Sequence, residues 1–458
     1  MEKGRAQWAS NIGFILAAAG SAVGLGNIWK FPRVAFENGG SAFLIVYIAI
    51  VILIGATVMI TEFAVGRSAH KNGVGAVRDI NPKFTFVGGL GILVGYVILC
   101  YYSHVGGWVM KYCLEYLTGG RNVYADPTNF FLTDVLGAGT AFPVQGALIF
   151  PALFIALTAI IVIKGVSGGI EKLNKVMMPT LFVILVILFV RGITIEGGAE
   201  GLQYLLKPDF SKLGGDMVLA ALGQAFFSLS LGMGIMCTYG SYLGNEENLV
   251  RNTITICGLD TMVAFLAGFA MIPIAFATNV GVGSGAGFAF ISLTGAFQTM
   301  PFGTFFGFLF YVLLFFAALT SAISLLEGTV AYITEEWHWE RKKTVLTLSV
   351  IMLFVGMLYT CSQACLDIKG IWLDANGLSF PIFGDFMEFF TDKLVMPLCA
   401  LLYCVLVGWV WGVDKAADEI SSHGLYPFKI KGIYSILVKF VAPIAIGVII
   451  LSGFGFIG

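Results

Sequence analysis

Eleven times along this chain the sequence offers a mainly apolar stretch long enough, at about 20 residues, to cross a bilayer as a helix. The stretches lie near 10–36, 40–66, 86–117, 144–163, 174–191, 216–243, 252–279, 304–334, 344–360, 380–412 and 433–457. Lipid offers no partner to a bare peptide group, so such segments must bond their backbones internally. Composition agrees: 58% of the 458 residues are hydrophobic and 12% are charged, too little polar surface for a soluble globule. The expected fold is an all-α polytopic membrane protein with 11 transmembrane helices, a single domain over 1–458 with no Pro- or Ser-rich linker. A net charge of −1 without a basic face argues against a nucleic-acid partner. The lipid bilayer is the partner instead. The first stretch is not expected to be a cleaved signal peptide, because no small-residue cleavage site ends it and the apolar pattern runs on into Phe31–Pro32.

Orientation follows from the cations of the connecting segments. Arg67, Lys71, Arg78 and Lys83 share one loop, Lys164, Lys172 and Lys175 another, and Arg341, Lys342 and Lys343 a third. With alternating spans these fall on one face together with Lys3 and Arg5, whereas 280–303 on the other face carries no charge. The chain is therefore expected in the cell membrane with its N-terminus cytoplasmic and its C-terminus outside. Of eight cysteines, six sit in spans or at their edges as small apolar residues. Cys361 and Cys365 fall in an outer loop, where pairing is conceivable but their spacing does not require it.

Two spans are interrupted alike. The first contains Gly20-Ser21-Ala22-Val23-Gly24-Leu25-Gly26-Asn27, and the sixth Ser228-Leu229-Ser230-Leu231-Gly232-Met233-Gly234. Glycine costs a helix stability, and backbone freed at membrane depth is tolerated only where it is buried in protein or lines a cavity. Glycines also let helices pack closely, which is the ordinary alternative for either run alone. Matching breaks five helices apart point instead to a transporter built from inverted repeats, its site at mid-membrane.

Four stretches carry a resemblance: Gly13 to Ala17 running through Gly24-Leu25-Gly26-Asn27-Ile28-Trp29-Lys30-Phe31-Pro32; Glu37-Asn38-Gly39-Gly40; Gly223 to Ser230; and Ala317-Ala318-Leu319-Thr320-Ser321. Through them the chain resembles the sodium:neurotransmitter symporter family, specifically its bacterial amino-acid branch, over nearly its whole length. The resemblance implies two inverted five-helix repeats, 10–191 and 216–412, an additional helix 11 at 433–457, and alternating access. It also implies two sodium ions. The first would use the carbonyl of Ala22 with Asn27, Ser228, Asp260 and the substrate carboxylate; the second, carbonyls of Gly20, Val23 and Ala317 with the hydroxyls of Thr320 and Ser321. Hydroxyls bonding back onto their own helix are the ordinary alternative for Thr320-Ser321.

The same resemblance places the substrate carboxylate against amides near Leu25 and Gly26, at a half-helix N-terminus, with Tyr102 donating its hydroxyl. Gly24 stands where amine-carrying relatives have an aspartate, which favours a substrate bringing its own carboxylate. Ser21 and Ala22 would border it, and Ile98, Phe227, Ser230, Met233, Ser321 and Leu325 would line an apolar side-chain pocket. Met233 is adaptable, so the expected substrates are large aliphatic or aromatic amino acids, with a narrower tyrosine- or tryptophan-selective carrier as the alternative. Ionisable residues within spans are costly and functional by default, which singles out Glu62, Asp260 and Glu327. Asp260 stands at a ligand position and Ala264 where the bacterial leucine carrier has a glutamate, so no chloride is expected as a cofactor. Glu62 resembles an acid that supports the unwound strands; Glu327 has no assigned role.

As gates, Arg5, Trp8, Tyr242 and Glu335 resemble the inner closure. Lys30 stands at an outer latch where most relatives have arginine, facing Glu388 or Asp385, with Arg33 as a substitute. Gly169 and Pro179 match a spacing at which helix 5 unwinds in similar carriers to release the second sodium; an ordinary kink is the alternative. Two rival functions have weaker support in the sequence. Gly165-Val166-Ser167-Gly168-Gly169 mimics a serine-nucleophile motif, but in a loop with neither strand nor base, and Gly281 to Gly287 mimics a dinucleotide loop without a strand. A non-transporting amino-acid sensor would use the same residues. Oligomeric state is left open.

Overall fold

The computed structural model describes residues 6–279, 286–364 and 382–456, and among these there is no strand. Among the described residues nine helices are long and apolar enough to cross a membrane: Ser41–Ala69, Pro82–Leu117, Val144–Ile163, Val166–Thr194, Leu249–Ala277, Gly303–Glu336, Arg341–Ala364, Phe383–Ile420 and Lys431–Gly453. A tenth span is the bent pair Asn11–Ala22 and Gly26–Glu37, whose halves meet at 55°. The remaining apolar stretch is two shorter helices, Gly215–Ser228 and Ile235–Gly240, separated by 229–234. In chain order the bent pair is span 1, this second interrupted pair span 6 and Gly303–Glu336 span 8.

Span 8 lies at the centre, with 78% of its most apolar window buried, whereas the last helix has 22% buried and turns Ile433, Ile436 and Ile444 outward. Exposed aliphatic side chains of this kind suit a lipid surround, since they meet no water there. Span 1 packs directly against span 8, and Phe14 and Phe63 meet edge to face at 5.3 Å where spans 1 and 2 cross.

Span 5 departs from the sequence expectation. It begins at Val166 rather than near 174, so Ser167, Gly168 and Gly169 belong to a wide first turn and not to a loop. Lys172 and Lys175 consequently lie on the helix. Buried Val166 and Ile170, together with a buried Glu171, supply the contacts that carry the helix past its glycines. Arg5, Cys365 and most of the Gly281–Gly287 run fall outside the described residues.

Long-range contacts gather the cation-bearing segments at one end of the molecule. Trp8 Nε1 donates to the Tyr239 carbonyl (3.1 Å), Glu171 holds Ser10, Arg78 pairs with Glu336, and Arg67 pairs with Glu419. At the opposite end, Tyr101 and Thr391 donate to Asp392, and Tyr359 to Glu388.

Candidate functional site

Span 1 stops at Ala22 because Val23 turns to φ −71°, ψ 97°, out of the helical basin, and a new helix begins only at Gly26. The amides exposed by this step find unusual partners. Gly24 N–H donates to Asn27 Oδ1 at 3.1 Å, and Leu25 N–H donates to the Tyr102 hydroxyl oxygen at 3.3 Å, which leaves the Tyr102 proton to be given elsewhere. A Cβ on Gly24 would lie 3.0 Å from Ser321 Oγ and 3.2 Å from Tyr102 Oη, so no larger residue fits without displacing both.

Span 6 breaks between Ser228 and Ile235. Ser230 sits at φ +53°, a strained conformation for a residue with a Cβ. Gly232, at φ +75°, approaches the Met396 carbonyl so closely that a Cβ would meet it at 2.2 Å. The Gly232 N–H donates to Glu62 Oε1 at 2.7 Å. Glu62, fully buried on span 2, thus takes up an amide that the interrupted helix cannot satisfy, in keeping with a supporting role.

Between the two breaks lies Asp260, completely buried on Leu249–Ala277. Asn27 Nδ2 donates to its Oδ1 at 2.7 Å, and Ser228 Oγ lies 3.0 and 2.8 Å from its two oxygens. Among the described residues these hydrogen-bond partners are all uncharged. A buried carboxylate without a countercharge is costly, so this cluster suits a small hard cation. Asn27 has its amide nitrogen toward Asp260; to ligate a cation its carboxamide must turn over.

The second expected ligand group is only partly assembled. Ser321 Oγ reaches across to the Gly20 and Ser21 carbonyls at 3.5 and 3.2 Å. Thr320 instead bonds back to Phe316 and Ala317 at 3.0 and 3.1 Å, as a hydroxyl in a helix commonly does. The Ser21 carbonyl also accepts from Ser230 at 2.9 Å, and Ser21 Oγ and Ser324 Oγ are 2.7 Å apart, so spans 1, 6 and 8 meet at one residue. Ser324 was not singled out from sequence; its signal was its place one turn beyond Ser321.

All twelve residues expected around the substrate line one cavity, joined by Asn27 and Ser228 of the first expected sodium site. The cavity is narrow, about 30 Å³, so an amino-acid side chain must move Phe227, Met233 or Leu325 to enter. Above it opens a wider cavity of about 620 Å³ bordered by Lys30, Gln224, Asp385, Glu388 and Asp392. Here the outer latch differs from expectation. Lys30 Nζ lies 4.5 Å from the centre of the Phe227 ring, in a cation–π contact, and among the described residues makes no ion pair. Arg33 does not substitute: it bonds along its own helix to Glu37 at 2.8 Å.

At the cation-rich end, Trp8 packs edge-on against Tyr239 and Tyr242, and Glu335 Oε2 accepts from both the backbone and side chain of Asn72 at 2.9 Å. Glu327, which sequence left unassigned, is fully buried and ion-paired with Arg341; Tyr242 Oη donates to it at 2.9 Å. Arg341, at the start of Arg341–Ala364, also donates to the Val162 carbonyl and so joins spans 4, 8 and 9. Sequence could mark Glu327 only as costly, because its partner lies across a turn. Gly169 and Pro179 both lie within the continuous helix of span 5, where Glu171 accepts from Ala9 N–H (2.7 Å), Ser10 Oγ (2.8 Å) and Lys175 Nζ (2.7 Å).

Residues 5–121 and 119–455 match the model of the sodium:neurotransmitter symporter family. An uncharacterized sodium-dependent transporter of Bacillus subtilis is 35% identical over 98% of both chains. A human sodium- and chloride-dependent GABA transporter is 28% identical over 91% of this chain and 75% of its own. Among solved structures, MhsT in complex with L-phenylalanine is 38% identical and superposes with a TM-score of 0.87 over 98% of this chain and all of MhsT.

Proposed function

The chain belongs to the sodium:neurotransmitter symporter family, whose matched relatives are sodium-dependent transporters, and from that premise we propose that it imports hydrophobic L-amino acids by sodium symport. The observation that carries this reading is Asp260: a buried carboxylate between two helix breaks, held by neutral Asn27 and Ser228. Sodium between Asp260, Ser228, a turned-over Asn27 and the Ala22 carbonyl supplies the missing positive charge. The substrate carboxylate completes that shell from the Leu25–Gly26 side, where Tyr102 still has a proton to donate. A second sodium sits at the Gly20, Val23 and Ala317 carbonyls once Thr320 rotates away from its own helix. Because Asp260 neutralises the first cation, chloride is not needed.

The large aliphatic and aromatic side chains of the substrate rest among Ile98, Phe227, Met233 and Leu325. MhsT, the structural match, was solved with L-phenylalanine, which supports this choice. Trp8, Tyr242, Glu335 and the Glu327–Arg341 pair close the cytoplasmic mouth, and the Lys30–Phe227 roof with Asp385 and Glu388 closes the outer one. The cation-rich segments face the cytoplasm, with the N-terminus, and the C-terminus lies outside.

Counterflow in proteoliposomes tests the function. Vesicles loaded with unlabelled phenylalanine should accumulate labelled phenylalanine in sodium, more than labelled lysine or glutamate, and gluconate in place of chloride should change nothing. Sodium-dependent binding without counterflow would make the protein a sensor.

A further inference from the structure

Span 5 carries a buried amide oxygen with no partner. Asn174 is 1% exposed, and its Nδ2 donates to the Ile170 carbonyl at 2.9 Å. Turning the amide over would set its oxygen against that carbonyl, so the group facing inward is the oxygen. Oδ1 finds no hydrogen-bond partner there. It faces Gly20: a Cβ on that glycine would stand 2.3 Å from Asn174 Oδ1, 3.3 Å from Met178 Sδ and 3.3 Å from Thr320 Cβ. A hard, uncharged, desolvated oxygen is therefore held beside the Gly20 and Thr320 pair that the second sodium is proposed to use. An unmet buried acceptor is costly, and it is retained here between Gly169 and Pro179.

We propose that Asn174 Oδ1 is an exit ligand for the second sodium, taking the cation, or a water of its shell, as it leaves Gly20 and Thr320 along span 5. The proposal depends on the sodium-coupled reading above. Sodium enters the step with its charge unchanged and exchanges one oxygen ligand for another, so no proton or electron is needed. Glu171, one turn closer to the cation-rich end, ties the same stretch to Ala9 and Ser10, so movement of the chain before span 1 would be felt at Asn174.

The test uses radiolabelled sodium on the purified, full-length protein. Asn174→Leu keeps the volume and removes the oxygen. Its sodium release into sodium-free buffer should slow about tenfold, the effect of losing one bond to a charged group, while sodium-dependent phenylalanine binding at equilibrium stays within about twofold of the parent. Asn174→Asp adds charge at the same point and should raise sodium affinity about tenfold by the same reasoning. Release from Asn174→Leu at the parental rate overturns the proposal, and if that variant does not fold, parental sodium affinity in Asn174→Asp does so. Either result leaves sodium symport standing; a parent that binds phenylalanine without regard to sodium removes the symport reading itself.

Discussion

Replacing Asp260 by alanine should abolish sodium-driven amino-acid uptake, with sodium affinity falling about a hundredfold or more, as when one partner of a buried charge pair is removed. The reason is local. Asp260 is a buried carboxylate bonded to Asn27 beside one break and Ser228 beside the other, and these hydrogen bonds orient it without neutralising it. Asp260→Asn keeps the shape but not the charge, so added chloride should partly restore its uptake by supplying an anion beside the cation. The parent should work equally in chloride and gluconate. Strict chloride dependence of the parent, or full activity of Asp260→Ala, would contradict the assignment.

The second large effect is expected in stability. Arg341→Ala strands Glu327, which is fully buried, and should cost about 3–5 kcal/mol. Tyr242 remains as a donor but carries no charge. Adding Glu327→Gln to Arg341→Ala should recover most of the loss, since the stranded charge is gone. Thermal unfolding of Arg341→Ala, Glu327→Gln and the double variant in detergent checks this order; a double variant whose losses simply add would show that the two groups do not act as a pair.

Much of the architecture was legible because membrane spans announce themselves by apolar length, and the breaks by their glycines. The run Gly20 to Asn27 and the run Ser228 to Gly234 both interrupt their helices in the structure. Local signals failed where helix and loop share residue types. Gly168 and Gly169 looked like a loop, yet buried neighbours hold them in the first turn of span 5. Side-chain direction was the other blind spot. Nothing in the run around Lys30 says that its ammonium rests on Phe227, nearly two hundred positions away in the chain, and nothing near Glu171 announces Ala9 and Ser10. Thr320 illustrates the limit of motif transfer: the residue type suits a cation, while its hydroxyl is bonded to its own helix.

The most direct test of the central claim is reciprocal binding in purified protein: phenylalanine affinity measured across sodium concentrations, and sodium affinity across phenylalanine concentrations. If cation and carboxylate share one shell between the breaks, each must raise the affinity of the other by the same factor. Phenylalanine affinity that does not change between sodium and potassium buffers would contradict it.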